Sequence, residues 1–344
     1  MKERRRFSDL ALLVRAPAAL SVPGDVLAGA AAAGDPLSIR TLGAMGSSVC
    51  LYWAGMALND YADATVDAVE RPERPVPSGR VPRRTALAVA GGLTAAGLGL
   101  AAVTGGRRGL VGAVPLAGLI WAYDLGLKGT PAGPAAMAGA RTLNVLTGAL
   151  ATAPGQWAGT ALRKGAGPAA LVGAHTYTLM ALSRHEIHGA PARLPAVTLV
   201  ASTATVVAAA APAVRAAVRE VRRSAPPLLA PGAVRPGPAL TVRGSPRSTP
   251  GFTPSEPIAN PVGTTPLVTV GAALAYLGAY GSAQLKAVRK PSGENLRKAV
   301  GSGILALIPL QAALTARAGA PVAAAVLGVG HPLARRLARR ISPT

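Results

Sequence analysis

Cysteine, aromatic residues and acidic residues are all scarce in this chain of 344 residues. The one cysteine, Cys50, lies inside an apolar run, so the chain can form neither an internal disulfide nor a zinc site built from cysteines. Aromatic residues make up only 3% of the sequence, whereas there are 41 glycines and alanine is abundant. Small residues let helices approach each other closely, so this composition favours helix packing through small side chains.

The few acidic residues leave a large excess of positive charge. Asp and Glu number 14 against 36 Lys and Arg, which gives a net charge of +22. In a soluble protein this excess would indicate nucleic-acid binding. Here the basic residues lie mostly between and beside apolar runs, where they set the topology of membrane helices and attract anionic lipid headgroups. We therefore expect membrane lipids as partners, and neither nucleic acid nor an obligatory protein partner.

Apolar runs of about 20 residues recur along the chain, and each is long enough to cross roughly 30 Å of hydrocarbon. They predict an all-α, polytopic membrane protein with about nine transmembrane helices. The predicted spans are 9–33, 40–58, 85–104, a fourth from the 105–109 turn to 128, 134–152, 167–183, 194–218, 267–285 and 299–316. The apolar stretch at 320–330 is short for a crossing, so we expect a half-helix at the interface.

Three regions follow from this pattern. Residues 1–219 are predicted to hold transmembrane helices 1–7 with both polar motifs described below. Residues 220–265 are rich in Pro, Ser, Gly and Arg and lack periodicity, which predicts a flexible insertion. Residues 266–344 are predicted to hold helices 8 and 9 and the basic half-helix. The first apolar segment is alternatively a signal peptide. Because Arg15 interrupts it and many spans follow, we expect a retained helix.

Charge also predicts the orientation of the chain. With the basic amino terminus inside the cell, spans 2, 4, 6 and 8 all end on the cytoplasmic face. Their ends carry most of the polar side chains discussed below. The sequence therefore predicts a site that faces the cytoplasm, in a multi-pass protein of the bacterial inner membrane.

The second span ends in a polar stretch in which Asn59, Asp63 and Asp67 are spaced i, i+4, i+8. On a continuous helix this spacing puts all three side chains on one face. Mg²⁺ binds one or two carboxylates and shares its other positions with water and substrate phosphates, so these oxygens are candidate ligands. Arg71 and Arg74 follow and are suited to phosphate oxygens. The alternative is a solvated helix end, but acidic groups beside a membrane span are costly and usually functional.

The segment NDYADATVDAVERPERPVPSGRV at 59–81 resembles the first signature of the UbiA superfamily of membrane prenyltransferases. In that signature N-x-x-x-D-x-x-x-D precedes a loop with R-P-x-P-S-G. The resemblance implies a UbiA-like helical bundle and Mg²⁺-dependent transfer of a prenyl group from a polyprenyl diphosphate to a small acceptor, aromatic or a lipid precursor. Arg15 resembles an arginine early in the family's first helix. Its alternative role is that of a snorkelling anchor.

The family's second motif is altered in this chain. Typical members carry a sequence similar to D-R-D-D-D at the end of helix six, where Ser183–Glu186 stands here. Arg184 matches and Glu186 keeps one carboxylate, so a second metal site should be weakened. The pattern S-R-x-E-x-H-G resembles the divergent EboC-like bacterial branch. Two further roles remain open: His185, Glu186 and His188 as zinc ligands, a weaker pattern than H-E-x-x-H, and His185 or Glu186 as a general base.

The resemblance implies a role for each polar residue. The implied metal ligands are Asn59, Asp63 and Asp67; the implied catalytic residues are Asp63, Asp67, Lys128, Arg184 and Glu186; the implied substrate-binding residues are Arg15, Asn59, Arg71, Arg74, Tyr123, Asn144 and His185. The cations would neutralise the leaving diphosphate. The weakened second motif leaves open a non-catalytic binder or transporter of an isoprenoid diphosphate, and a structural scaffold is a third possibility.

Other polar residues are expected to be structural. His175 lies in mid-span and should hydrogen-bond to a neighbouring helix. Asp60 and Asp124 are expected to support the site and not to bind metal directly. Arg141 and Asn144 either line the cavity or pack with satisfied hydrogen bonds.

Overall fold

The computed structural model describes residues 9–15, 20–151, 155–224 and 264–330. Helices provide all the regular secondary structure within these ranges. The all-α fold class is therefore confirmed. The basic amino terminus, most of the predicted insertion and the basic tail lie outside the described residues.

After a helical segment at residues 9–13, the chain forms a series of helices joined by short connections. They are α1 Val22–Ala33, α2 Ile39–Ala62, α3 Ala64–Glu70, α4 Arg83–Ala122, α5 Gly133–Leu150, α6 Ala158–Ser183, α7 Arg193–Ser224, α8 Thr264–Arg289, α9 Gly293–Arg317 and α10 Pro321–Gly330. Two π-helical turns are present, one extending α4 at Tyr123–Leu127 and one within α8 at Leu277–Gly281.

Helix α4 is two antiparallel helices joined at Gly106. This glycine has φ 59° and ψ −143°, a conformation that breaks the helix and that glycine adopts readily. Trp121 Nε1 donates a hydrogen bond to Thr94 Oγ1 at 3.0 Å, which places the two halves side by side. A Cβ atom on Gly109 would lie 2.2 Å from the carbonyl oxygen of Ala101. The break thus falls within the 105–109 turn that the sequence predicts.

Five helices of the described residues are long and apolar enough to cross a membrane: α2, α4 with its π-helical extension, α7, α8 and α9. Because α4 folds back at Gly106, its apolar residues are divided between two helices. Helices α1 and α10 are apolar but shorter. The chain therefore has the character of a polytopic membrane protein, and the number of nine crossings stays a prediction.

Helices α1 and α5 are in backbone contact. A Cβ atom on Gly29 of α1 would lie 1.8 Å from the carbonyl oxygen of Val145, and one on Gly148 of α5 would lie 2.0 Å from that of Val26. Any larger side chain would push the two helices apart. The small residues noted in the sequence therefore act here as helix-packing residues.

A buried ionic cluster joins α1, α5 and α9. Arg141 Nε lies 2.9 Å from Asp25 Oδ2, and Asn144 Nδ2 donates to the same oxygen at 3.0 Å. Gln311 Nε2 donates to Asp25 Oδ1 at 2.6 Å, and the Arg141 guanidinium lies 5.5 Å from the ring centre of Tyr52 on α2. The Asp25, Asn144 and Gln311 side chains are fully buried. A buried charge is tolerated only with such compensation.

His175 of α6 links this helix to α8 and α9. Its Nδ1 lies 2.9 Å from Tyr276 Oη on α8, and its Nε2 lies 3.2 Å from the Gly303 carbonyl oxygen on α9. The imidazole also packs edge-on against the rings of Tyr276 and Tyr280. The predicted hydrogen bond from His175 to a neighbouring helix is confirmed.

The substitution Asp25→Ala should destabilise the bundle. It removes the carboxylate and leaves Arg141 as an unpaired buried charge, a change that typically costs about 3–5 kcal/mol. We expect a clear fall in the thermal unfolding midpoint of the detergent-solubilised chain.

The matched control is the double substitution Asp25→Leu with Arg141→Met, which removes both charges. Its unfolding midpoint should recover most of the loss, because replacing a buried pair by apolar side chains is often neutral. Equal midpoints for the wild type and the single variant would show that the pair does not support the fold.

Candidate active site

The polar stretch after the second span does not form one continuous helix. Helix α2 ends at Ala62, Asp63 has φ −87° and ψ 4°, and α3 begins at Ala64. Backbone hydrogen bonds nevertheless continue across the break, from the Asp63 N–H to the Asn59 carbonyl at 2.9 Å and from the Asp67 N–H to the Asp63 carbonyl at 2.8 Å. Asp63 thus interrupts the continuous helix expected over 59–67, but these hydrogen bonds keep the three residues in helical register, and their side chains have different partners.

Two buried carboxylates share one arginine at this break. Asp60 and Asp67 are each 1% exposed. Arg74 Nη1 contacts Asp67 Oδ2 and lies 3.7 Å from Asp60 Oδ1. Arg15 Nη2 lies 2.8 Å from Asp60 Oδ1, and Arg71 Nη1 lies 3.5 Å from Asp67 Oδ1. We call these five residues the arginine–aspartate cluster; in it three guanidinium groups neutralise two buried carboxylates.

A second polar group lies beside it, where the π-helical turn Tyr123–Leu127 ends α4. Lys128 Nζ contacts Asp63 Oδ2. Asn59 Nδ2 donates to Asp124 Oδ1 at 3.3 Å, and Asn59 Oδ1 accepts from Arg15 Nη2 at 3.4 Å. The turn thus brings Asp124 and Lys128 against the end of α2. π-Helical turns are frequent at functional sites.

The second motif lies near the first. Arg184, which caps α6, donates from Nη2 to the carbonyl oxygen of Thr130, two residues after Lys128. Burial raises the pKa of Glu186, and the positive charges of Arg297 and Arg71 oppose that rise. Lys128 joins the end of α4 to Asp63, and Arg184 joins the end of α6 to Thr130, so α2, α4 and α6 bring their polar ends to the same end of the bundle.

The described residues do not form the zinc site considered for His185, Glu186 and His188. No three His, Cys, Asp or Glu side chains in those ranges are grouped as a metal site would require. His185 Nδ1 lies 3.2 Å from the carbonyl oxygen of Ala181 in its own helix. The donor types of Asp63, Asp67 and Asn59 suit Mg²⁺, because carboxylate and amide oxygens are its preferred protein ligands. In this structure Asp63 is paired with Lys128, and Asp67 with Arg71 and Arg74.

Two residues predicted to bind substrate, Asn144 and Tyr123, differ in their position relative to these groups: Asn144 lies apart from them, and Tyr123 lies at their border. Asn144 belongs to the Asp25 cluster, eleven residues along α5 from Gly133, or roughly 16 Å by helical rise. Its amide also donates to the Val22 carbonyl at 3.1 Å. Tyr123 begins the π-helical turn and is half-buried.

Sequence reasoning missed Asp25 and gave Asp60 only a supporting role. Asp25 is the acceptor at the centre of a buried cluster, and Asp60 is as buried as Asp67 with two arginine partners. The available signal was an acidic residue within an apolar run, since such residues are expensive in membranes and mark functional or structural sites.

Known proteins share both sequence and fold with this chain. The model of the UbiA prenyltransferase family matches residues 22–230, more than half of the chain. A digeranylgeranylglyceryl phosphate synthase of Ignicoccus hospitalis is 38% identical over 153 residues, covering 44% of this chain and 49% of that protein. The same enzyme of Methanopyrus kandleri is 42% identical over 106 residues, covering 31% of this chain and 39% of that protein.

The aligned part of this chain thus spans between 39% and 49% of the length of these two curated relatives. Solved structures match more widely but at low identity. The apo structure of a UbiA homolog from Aeropyrum pernix has a TM-score of 0.54 at 18% identity, covering 86% of this chain and 96% of that one. A structure described as digeranylgeranylglyceryl phosphate synthase in membranes has a TM-score of 0.55 at 14% identity, covering 91% and 98%.

The two solved structures support the UbiA-like fold. The assignment to the EboC-like branch stays a prediction. The signature at 59–81, the helical bundle and the family match all agree. The chain belongs to the UbiA prenyltransferase family.

Proposed function

We propose that the chain is a Mg²⁺-dependent prenyltransferase that moves a prenyl group from a polyprenyl diphosphate to a small acceptor within the membrane. The observation that carries this proposal is the convergence of Arg15, Arg71, Arg74 and Lys128 at one end of the bundle, each held by a carboxylate. A diphosphate is the anion that such a concentration of cations suits.

The exposure of the ion pairs supports diphosphate binding. The carboxylates Asp60 and Asp67 are buried, whereas the Arg71 and Arg15 side chains are 52% and 35% exposed. These arginines can therefore offer their outer N–H groups to phosphate oxygens while their inner N–H groups stay on the carboxylates. Cations fixed in advance stabilise charge that develops in the transition state without further reorganisation.

Asn59, Asp63 and Asp67 are the residues that would hold Mg²⁺, which neutralises the charge developing on a leaving diphosphate when it is bound. Lys128 contacts Asp63, and Arg184 contacts the Thr130 carbonyl two residues after Lys128; both cations would stabilise the same oxygens. The second motif supplies only one carboxylate, Glu186, which weakens a second metal site. Lys128 and Arg184 would therefore neutralise charge on the diphosphate that a second metal would otherwise neutralise.

The acceptor is proposed to be a lipid precursor with a hydroxyl group. The similar relatives are named for digeranylgeranylglyceryl phosphate, which favours a glyceryl phosphate lipid over an aromatic acceptor. In the reaction the bond between the prenyl carbon and diphosphate breaks, the acceptor oxygen bonds to that carbon, and the hydroxyl proton leaves. We propose that Glu186 accepts this proton, which its raised pKa favours because a raised pKa makes a carboxylate a stronger base.

We also propose the orientation that the charge pattern predicts, with the arginine–aspartate cluster at the cytoplasmic face of a bacterial inner membrane.

A second candidate function is a non-catalytic carrier of an isoprenoid diphosphate, favoured by the altered second motif. Purified protein with labelled geranylgeranyl diphosphate, Mg²⁺ and membrane lipid extract separates the two. A new prenylated lipid supports the enzyme, whereas saturable binding without turnover supports the carrier.

The substitution Asp63→Asn should abolish most prenyl transfer. It removes a metal ligand and the partner of Lys128, and loss of one preorganised electrostatic group typically lowers the rate by about 100- to 1,000-fold. The measurement is Mg²⁺-dependent release of diphosphate from labelled geranylgeranyl diphosphate in proteoliposomes.

The control is Asp35→Asn, a substitution between α1 and α2 at the opposite end of α2. Its rate should equal that of the wild type. Wild-type release by the Asp63→Asn variant would contradict the proposed role of this carboxylate.

The pH dependence of the rate tests the role of Glu186. As a base it acts only when deprotonated, so the rate should rise with pH through a pKa above the ordinary glutamate value. Glu186→Gln should lower the rate and remove this acidic limb of the pH profile. A Gln variant that retains the same limb would assign the titration to another group.

A further inference from the structure

A groove of about 780 Å³ runs along the outer surface between α8 and α9. Small or apolar residues line most of its length, among them Gly278, Ala279, Gly301 and Leu305. Both helices are long and apolar enough to cross a membrane, and such a crossing would expose this part of the groove to hydrocarbon. Its volume is within the range of sites that bind small molecules.

The groove is basic at one end. Lys286 near the end of α8 and Lys298 near the start of α9 both line it and are exposed. No carboxylate of the described ranges lies within ion-pair distance of Lys286, and Lys298 pairs only with Glu294 one turn away on the solvent side. Asn295 also lines the groove. The groove therefore has an apolar length and a cationic end.

The backbone of α8 is remodelled at this groove. The π-helical turn Leu277–Gly281 widens the helix here, and Gly278 belongs both to the turn and to the groove. A Cβ atom on Gly278 or Gly301 would have no neighbouring atom within 4 Å. The groove therefore coincides with a π-helical turn, a feature that is frequent at functional sites.

We propose that this groove binds an anionic membrane phospholipid, with its phosphate at Lys286 and Lys298 and an acyl chain along Gly278 and Gly301. A molecule at this position needs an apolar tail in the hydrocarbon and a negative group at the interface, which is the chemistry of such a lipid. None of the five residues of the arginine–aspartate cluster lines the groove, so the two sites are distinct.

The headgroup end adjoins the second motif. The Ala190 N–H donates to the Pro291 carbonyl between α8 and α9 at 3.3 Å, and Arg297 Nη2 donates to the Glu186 carbonyl at 3.4 Å. Arg297 directly precedes Lys298. The groove and the second motif thus meet at the start of α9, where Lys298 lines the groove and Arg297 contacts the backbone of Glu186.

The test is lipid binding to the delipidated full chain in detergent, measured by native mass spectrometry with phosphatidylglycerol and with phosphatidylcholine of the same acyl chains. The wild type should bind phosphatidylglycerol more tightly. Each lysine near a surface contributes enough for about a fivefold change in affinity, so Lys286→Gln with Lys298→Gln should weaken phosphatidylglycerol binding about 25-fold.

The variant Gly301→Leu tests the acyl part of the groove. A Cβ atom at this exposed position meets no atom within 4 Å, and the rest of the leucine would occupy the groove. Binding of both lipids should therefore fall while the unfolding midpoint stays unchanged. Two matched controls should bind as the wild type: Lys290→Gln, an exposed lysine at the same end but outside the groove, and Gly118→Leu, an exposed and equally open position on α4.

Equal affinity for the two lipids in the wild type would overturn the proposal. So would wild-type binding by the double lysine variant, or a loss in Lys290→Gln as large as that in the double variant. These results concern binding alone, so they are independent of whether the chain transfers prenyl groups.

Discussion

The pairing of buried carboxylates with arginines at the end of α2 is the constraint on which the site depends. Asp60 and Asp67 cannot remain ionised out of water without cations beside them, so the chain that follows must return Arg71 and Arg74 to them. Hydrogen bonds within this loop hold it in place. Ser78 Oγ donates to the Arg74 carbonyl at 2.6 Å, and Arg80 Nε donates to Ser78 Oγ at 3.0 Å. Burial at one helix end thus determines the conformation of the whole connection to α4.

The same pairs account for the chemistry proposed above. A group of cations alone would repel itself and remain mobile, whereas carboxylate partners fix each cation before an anion arrives. Lys128 and Arg184 extend this arrangement because Asp63 and the Thr130 carbonyl hold them. The ends of α2, α4 and α6 therefore bring these cations together, which supports the anion site proposed above.

Much of the fold could be predicted from the sequence, because apolar runs and glycine turns are local signals. The predicted span 299–316 lies within Gly293–Arg317, and the turn predicted at 105–109 contains the break at Gly106. The break at Asp63 could not be predicted, because residues 59–67 contain no Gly or Pro to mark it. The backbone hydrogen bonds also continue through it. The Asp25 cluster was also missed, because its partners on α5 and α9 are more than 110 residues away and no spacing rule reaches them.

The backbone contact between α1 and α5 restricts where a long substrate can lie. With Gly29 against Val145 and Gly148 against Val26, no gap remains between these two helices for a hydrocarbon tail. The Asp25 cluster secures the same pair from within and ties it to α9. The proposed isoprenoid, with its head at the arginines, would therefore place its tail among the other helices, and a longer tail would contact those helices and not the pair α1 and α5.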